Sequence, residues 1–290
     1  MGSSQVYVLD RSTNGSISAL SRDGQVRWQS ALEDCGAHDF VELSSQWGLV
    51  TCYDDAALRL VSLADGEVSL GPSLVDQADA DGLPEADRLY VGQEGYVWVS
   101  VQRLARGDGY RPVGYGRVLR SRVTLIDQQV PEFGSWEMLE VEGLKNPTTH
   151  FTSNGDSVTL GFAGDWQSDA SEAGRAFLGT EPFELTRIEM SSPQRVWQIA
   201  GDWWLGSLSS VESLEVRTMS LFSDGGTTAS ALWMVDGFSL GGMVETPEGG
   251  VVVAYRPPEG APAILRFGPD GSQDSQLAWS LKPWELVLVP

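Results

Sequence analysis

The chain has 290 residues, 41% of them hydrophobic, and 40 acidic against 19 basic side chains give it a net charge of −21. Such a surface repels phosphate backbones and anionic lipid headgroups, which excludes general nucleic-acid binding and electrostatic adsorption to membranes. No run approaches the ~20 consecutive apolar residues of a membrane-spanning helix, and Val251-Val252-Val253-Ala254-Tyr255 is typical of the apolar runs present.

The opening Met1-Gly2-Ser3-Ser4 reads as a cloning remnant, so a native leader is expected to have preceded Gln5, and residues 5–290 are read as a single domain. Helical periodicity is nearly absent. Short alternating strands recur instead, separated by Gly, Asp, Asn and Ser turns, which is the spacing of a sandwich, barrel or propeller. The repeat decides among these. A glycine precedes an apolar strand at Trp47-Gly48, Glu94-Gly95, Asn154-Gly155 and Gly249-Gly250, at about one, one and two copies of a unit near 48 residues, the size of a four-stranded propeller blade. Trp28, Trp136, Trp197, Trp233 and Trp279 each follow a turn late in a unit, the place of an outermost strand. At a repeated position such rings are expected to wedge between adjacent blades rather than to stack on sugars.

In chain order, the first blade shows three outer strands at about 5–10, 16–21 and 24–30. The second is placed at about 36–74, the third at 85–141, the fourth at 146–199, a short fifth at 202–236 with unclear inner strands, and the sixth at 238–280. One strand, 284–289, remains. It is expected to supply the innermost strand that the first blade lacks, which closes the ring and removes exposed sheet edges. The predicted fold is therefore an all-β propeller of six four-stranded blades.

Two cysteines, Cys35 and Cys52, are too few for a disulfide framework. Cys35 precedes the inner strand of the second blade, and Cys52 ends the next strand, in a pairing that sets position 52 roughly opposite position 39. The loop at Cys35 can fold back across that strand end, so the two are expected to form a disulfide.

Candidate chemistry falls on the face formed by loops entering the innermost strands and loops joining second to third strands. Two long insertions lie there. Residues 103–117 contain Arg103, Tyr110, Arg111 and Tyr115, and residues 164–182 contain Asp165, Trp166, Asp169 and Glu172. Arg103, Tyr110, Arg111, Tyr115 and Trp166 are taken as the ligand-binding face, because loops of this length in a compact fold are commonly functional. Asp76, Asp79, Asp81 and Glu85 form an acidic segment entering the third blade. Two readings stand for it: a Ca²⁺ site built from a D-x-D-G turn, or a solvated turn whose aspartates cap their own backbone. A second set, His38-Asp39, Glu85, Asn146 and Asp202, falls near the starts of inner strands. It could mimic the axial divalent-metal site of six-bladed lactonases, although the local motifs do not match. The other reading is polar residues solvating a channel. Arginines 103, 106, 111, 117, 120 and 122 concentrate in one stretch. They read either as a patch for an acidic glycan or carboxylate, or as partners of the acidic surface, including the loop at 76–87. No G-x-S-x-G or H-E-x-x-H motif occurs, and His38 and His150 are the chain's two histidines.

The stretch Gln5-Val-Tyr-Val-Leu-Asp10, Gly15 to Gly24 and Gln25-Val-Arg-Trp28 resembles a YVTN-type propeller repeat, as do Tyr96 to Ser100 and Val118 to Asp127. Asp79-Ala-Asp81-Gly82-Leu-Pro-Glu85, with Leu89 to Gly92 and Val99 to Arg103, is similar to segments of exported lipoproteins of myxobacterial type. That resemblance implies export and a lipid anchor on a cysteine upstream of Met1. The functional expectation is a monomeric, non-enzymatic module at an extracellular, cell-surface or periplasmic location that binds a protein or glycan. The alternative is a metal-dependent hydrolase of the lactonase class. No organic cofactor is expected, and Ca²⁺ is the one inorganic candidate.

Overall fold

A computed structural model describes the chain from Gln5 to Ala278, apart from residues 12–14, 22–23, 93–94, 127–128, 149–150, 155–156, 166–171, 179–184, 188–192, 200–201, 209–215, 223–228, 237–239, 247–249, 256–259 and 269–271. It falls into two compact units, Met1–Phe151 and Thr152–Pro290. Apart from two short 3₁₀ turns, the regular structure of the described residues is antiparallel strand. None of it is a helix long and apolar enough to cross a membrane.

In the first unit, β1 (Gln5–Asp10), β2 (Ser16–Ser21) and β3 (Val26–Ala31) form a three-stranded sheet, and β4 (Ala37–Glu42), β5 (Trp47–Cys52), β6 (Ala57–Ser62) and β7 (Val68–Ser73) form a four-stranded one. The third sheet holds β8 (Ala86–Val91), β9 (Tyr96–Val101) and β12 (Arg117–Thr124), with two short strands, β13 (Glu132–Phe133) and β14 (Glu137–Glu140), sharing the outer edge of β12. A small hairpin, β10 (Leu104–Ala105) with β11 (Arg111–Pro112), stands in the connection from β9 to β12.

Central strands of these sheets are buried on both faces, so their sequences are continuous apolar runs rather than alternating ones. Neighbours in β5 still point opposite ways. Leu49 joins Leu58, Leu60, Val97, Val99 and Leu119 in a core between the second and third sheets. Val50 joins Ile17, Leu32, Cys35, Cys52 and Val61 in a core between the first and second. Trp28, on outermost strand β3, packs against that second core as the sequence predicts. Its indole Nε1 donates to the Leu63 carbonyl at 3.2 Å. Gly66 is required beneath the ring, because its φ is +81° and an added Cβ would lie 2.6 Å from the indole.

The second unit contains three four-stranded sheets. These are β15 (Thr152–Asn154) to β18 (Leu185–Arg187) through β16 (Ser157–Ala163) and β17 (Ala173–Leu178); β19 (Pro193–Ile199), β20 (Asp202–Leu208), β21 (Val216–Phe222) and β22 (Ala229–Asp236); and β23 (Leu240–Glu245), β24 (Val251–Tyr255), β25 (Ala263–Phe267) and β26 (Gln273–Ala278).

The sheet boundaries match the sequence-based ones except between the fourth and fifth. Residues 193–199 do not end the fourth sheet; they open the fifth by pairing with β20, so Trp197 lies on a first strand and faces Trp204 in the ladder. The outer edge of the fourth sheet is instead the three-residue β18. Residues 284–289 and Trp279 lie outside the described residues.

Candidate functional site

In a sheet whose strands follow one another as a meander, segments leading into the first strand and segments joining the second to the third emerge at one end. In the first unit these are residues 32–36, 53–56, 74–85, 102–116 and 141–148. They touch one another: Tyr53 N–H donates to Gly36 O, Asp54 N–H to Cys35 O, and Leu74 N–H to Ala56 O. The five described non-glycine residues with positive φ, Asp34, Glu85, Arg103, Tyr110 and Asn146, all belong to these segments.

The polar interior of this face follows a repeat of 49 residues. In both β4 and β8 the register shifts at the same place, between Ala37 and Phe40 and between Ala86 and Leu89. Thr51 and Ser100 occupy equivalent positions on β5 and β9. Thr51 Oγ1 accepts from Asp39 N–H and donates to the Asp87 carbonyl of the next sheet, both at 2.8 Å. Ser100 Oγ accepts from Arg88 N–H at 2.9 Å and donates to the Pro147 carbonyl at 3.4 Å. Each hydroxyl thus serves two backbone groups, an N–H within the irregular stretch of its own sheet and a carbonyl beyond that sheet.

Side chains one repeat apart meet as well. His38 Nδ1 lies 2.8 Å from Asp87 Oδ1, and the Tyr53 hydroxyl donates to Gln102 Oε1 at 3.0 Å. Gln102 Nε2 donates to the other Asp87 oxygen at 2.6 Å. Asp87 is fully buried and Arg88 Nε lies 3.6 Å away. Burial opposes the Asp87 charge, but Arg88, His38 and Arg11 outweigh it and hold the carboxyl well below the usual range. His38 is lowered by burial against the pull of Asp87, with Arg11 and Arg88 adding to the lowering. Arg11 Nη2 lies 2.8 Å from each of the two His38 ring nitrogens. The Tyr53 ring stacks on the imidazole, with centroids 4.2 Å apart, and the Arg106 guanidinium covers its other neighbourhood at 5.2 Å. The Tyr53 hydroxyl is pushed far above the ordinary tyrosine range, first by burial and then by Asp87, Glu85 and the nearby Tyr110.

Arg106 ties three segments together. It meets Asp54 Oδ1 at 2.6 Å, Glu85 Oε1 at 3.0 Å and Asp81 Oδ2 at 3.9 Å. Glu85 has no water-exposed surface, and its second oxygen accepts from Leu104 N–H at 3.1 Å. Burial pushes its carboxyl up to about 7, against the lowering by Leu104 N–H and Arg106.

The residues singled out from the sequence are distributed as follows. Asp76 is exposed in the 3₁₀ turn Val75–Gln77. Asp79 Oδ1 accepts from Asp81 N–H at 3.0 Å and Asp81 Oδ1 from Leu83 N–H at 2.9 Å, the self-capped turn that was one of the two readings. Asp39 is engaged by Phe40 N–H on one oxygen and Leu89 N–H on the other, at 2.9 and 2.8 Å. Asn146 has φ +57°, and its buried Oδ1 meets no hydrogen-bond donor among the described residues. Asp202 opens β20, in the other unit from Asp39 and Asn146. No group of three or more His, Cys, Asp or Glu among the described residues is arranged to hold a metal ion. Arg103, Tyr110, Arg111 and Tyr115 share the segment carrying the β10–β11 hairpin, with Tyr110 exposed directly before β11; Trp166 lies outside the described residues. Cys35 and Cys52 are disulfide-bonded with Cα atoms 4.5 Å apart. The arginine stretch pairs internally: Arg103 and Arg117 with Glu140, Arg120 with Glu137, and Arg106 as above. Asp87, Gln102 and Tyr53 escaped the sequence reading. The signal for them was present, since His38 to Asp87 and Tyr53 to Gln102 are both steps of 49 residues, one blade length.

The fold is propeller-like. A streptogramin B lyase superposes with TM-score 0.56 at 15% identity, covering 98% of this chain and 87% of that one. The PQQ-bound aldose sugar dehydrogenase of Streptomyces coelicolor gives 0.55 at 10%, covering 96% and 86%. YCF48 bound to D1 peptide gives 0.51 at 11%, covering 95% and 71%. These similarities establish the fold alone, and they include enzymes and a peptide binder. No family model matches the chain, and no curated protein matches its sequence.

Proposed function

We propose that this chain is an exported binding module built as a six-bladed propeller, with residues 284–289 completing its first blade, and that it takes a protein or glycan ligand on the loop face of its first unit. The observation that carries this reading is the concentration of positive-φ residues. All five described non-glycine examples lie in the loops of that face, and two of them belong to the insertion between β9 and β12, Arg103 directly before β10 and Tyr110 directly before β11. Left-handed backbone at large side chains is costly and collects where a side chain must be held in a set place. Of the carboxylates in the axial set read from the sequence, Asp39 is engaged by two backbone N–H groups and Glu85 by Leu104 and Arg106. Export is supported by the disulfide, since such bonds persist in oxidising compartments.

Elemental analysis of purified protein, combined with lactone-hydrolysis assays, tests the reading. The expected result is no stoichiometric divalent ion and no turnover. One tightly held ion per chain together with lactone hydrolysis would replace the binding module with the hydrolase.

A further inference from the structure

We propose that the loop face of the first unit docks a basic segment of a partner protein, one that carries several cationic side chains with apolar ones between them. This rests on reading that face as a binding surface and adds the chemistry of the partner. The face is one surface, because each segment is joined to the next. Asp54 N–H donates to Cys35 O at 3.0 Å, Leu74 N–H to Ala56 O at 2.7 Å, Gln102 N–H to Glu85 O at 3.2 Å, and Gly116 N–H to Leu144 O at 2.8 Å. Its charge is one-sided. The five segments carry ten acidic residues against four basic ones. The bases are committed: Arg106 pairs with Asp54 and Glu85, Arg103 pairs with Glu140, and Arg111 and Lys145 are likewise engaged. Five of the acids, Glu33, Asp34, Asp76, Asp108 and Glu142, are exposed and form no ion pair among the described residues.

Two features fix the kind of cation. The unpaired carboxylates are spread over four segments, and no three His, Cys, Asp or Glu side chains among the described residues are arranged to hold a metal ion. They suit several charges spaced along a chain rather than one ion. Three large apolar side chains are exposed in the same segments: Val75, 57% exposed, directly before Asp76, and Tyr110 and Val113, 49% and 40% exposed, in the segment that carries Asp108. A simple polyamine would neutralise the carboxylates and leave those side chains in water. A protein segment covers both, by laying apolar side chains on Val75, Tyr110 and Val113 and setting lysine or arginine heads against the carboxylates. Exposed apolar side chains combined with charge complementarity mark a surface for a protein partner. Docking needs no internal ion pair to break, since none of the five carboxylates is in one. The net charge of −21 adds long-range attraction for a basic partner and repels an acidic one.

The experiment is a fluorescence-anisotropy titration of the full chain into labelled peptides of equal length, one of lysine and leucine, one of lysine and serine, and one of glutamate and leucine. It is repeated with two triple variants of equal charge change. The first reverses the face, with Asp76→Lys, Asp108→Lys and Glu142→Lys. The second, Glu42→Lys, Glu132→Lys and Asp274→Lys, reverses exposed acids elsewhere that also form no ion pair among the described residues. Substitutions at such positions leave stability nearly unchanged, so both are expected to melt with the parent. A double variant, Val75→Ser with Val113→Ser, reads the same surface without touching its charge. Support is tightest binding of the lysine–leucine peptide, weakened about tenfold or more by the face triple, the combined worth of three exposed charge pairs, and clearly less by the other triple. The double variant should bring lysine–leucine binding toward that of lysine–serine. Equal weakening by the two triples would mean attraction to net charge alone and overturns the docking surface. Lysine–serine binding as tight as lysine–leucine overturns the protein segment in favour of a simple polycation. Absence of lysine–leucine binding overturns the basic partner. Tighter binding of glutamate–leucine does the same, and its loss in the double variant would leave the face as the binding surface for a partner of other chemistry.

Discussion

Glu85 is a carboxylate without exposure to water, held on a backbone of φ +44° and served by one N–H and one guanidinium. Its folded value of about 7 lies above the ordinary 4.5, so the stability linked to it is fully present below pH 4.5 and is lost as the pH rises through about 7. Arg106 limits that loss. Arg106→Ala loses its contacts with Asp54 and Asp81 at any pH, and should cost about 2 kcal/mol more at pH 8.5 than at pH 5, where Glu85 is mostly protonated, the worth of a hydrogen bond to a charged group. Urea titrations at the two pH values measure it, and an equal cost at both would sever Arg106 from the Glu85 charge. His38 runs the other way. Its folded value is lowered below 6.5, so the stability linked to it is present above pH 6.5 and is lost as the pH falls through the folded value. His38→Gln should remove that acid-side component from the stability curve. Should the variant keep the parent's full decline below pH 6.5, another group is responsible. None of this chemistry is visible in local sequence. Asp87 reads as an ordinary strand aspartate until the 49-residue step from His38 is counted, and Glu85, read as a candidate metal ligand, gives no sign in the sequence of its burial or its arginine partner. Burial is a tertiary property, and here the hairpin carrying Arg106 creates it. Trimming residues 103–117 would leave Glu85 without its cation.

At the scale of strands, the second, third and last sheets were legible because each has a glycine-bearing turn before a strongly apolar strand, at Gly48, Gly95 and Gly250. The boundary between the fourth and fifth was misplaced for a physical reason. The true outer strand, Leu185–Arg187, is three residues long, while Pro193–Ile199 carries a tryptophan and the alternation of an outer strand. A short edge strand leaves little pattern to read. The irregular register in β4 and β8 was equally hidden, yet it explains Thr51 and Ser100. Thr51→Val keeps shape and removes the hydroxyl that serves Asp39 N–H and Asp87 C=O, so it should cost about 2–3 kcal/mol through two buried groups left unpaired. Denaturant unfolding checks this, and a near-neutral effect would mean those groups find other partners. The disulfide was legible because both cysteines fall at strand ends that an antiparallel pair brings together. It closes a separation of 17 residues, and replacing both cysteines by alanine should cost about 3 kcal/mol. Thiol titration of the denatured, unreduced protein should find no free thiol.

For the whole molecule, the decisive question is how the first sheet is completed. Five sheets present four strand positions across their width, whereas the first shows β1, β2 and β3, and β1 is paired on one side only among the described residues. An unpaired strand edge in a sheet of this kind exposes a row of backbone donors and acceptors to any passing strand. The sequence contains one further segment of strand character, Trp284-Glu285-Leu286-Val287-Leu288-Val289, which lies outside the described residues. If it pairs with β1, removing residues 284–290 opens that edge, deletes roughly one strand's worth of apolar burial and leaves the first core without cover. Removing residues 1–4 does neither. The C-terminal truncation is therefore expected to melt well below the parent, by about 10 °C or more given that each kcal/mol moves a domain of this size by roughly 2–4 °C, and to associate at concentrations where the parent does not. The N-terminal truncation should melt with the parent. Differential scanning calorimetry with sedimentation analysis of both proteins decides the point. A C-terminal truncation that melts and sediments like the full chain would show that β1 is the true inner edge of a three-stranded sheet, and would overturn the proposed completion of the first blade by residues 284–289.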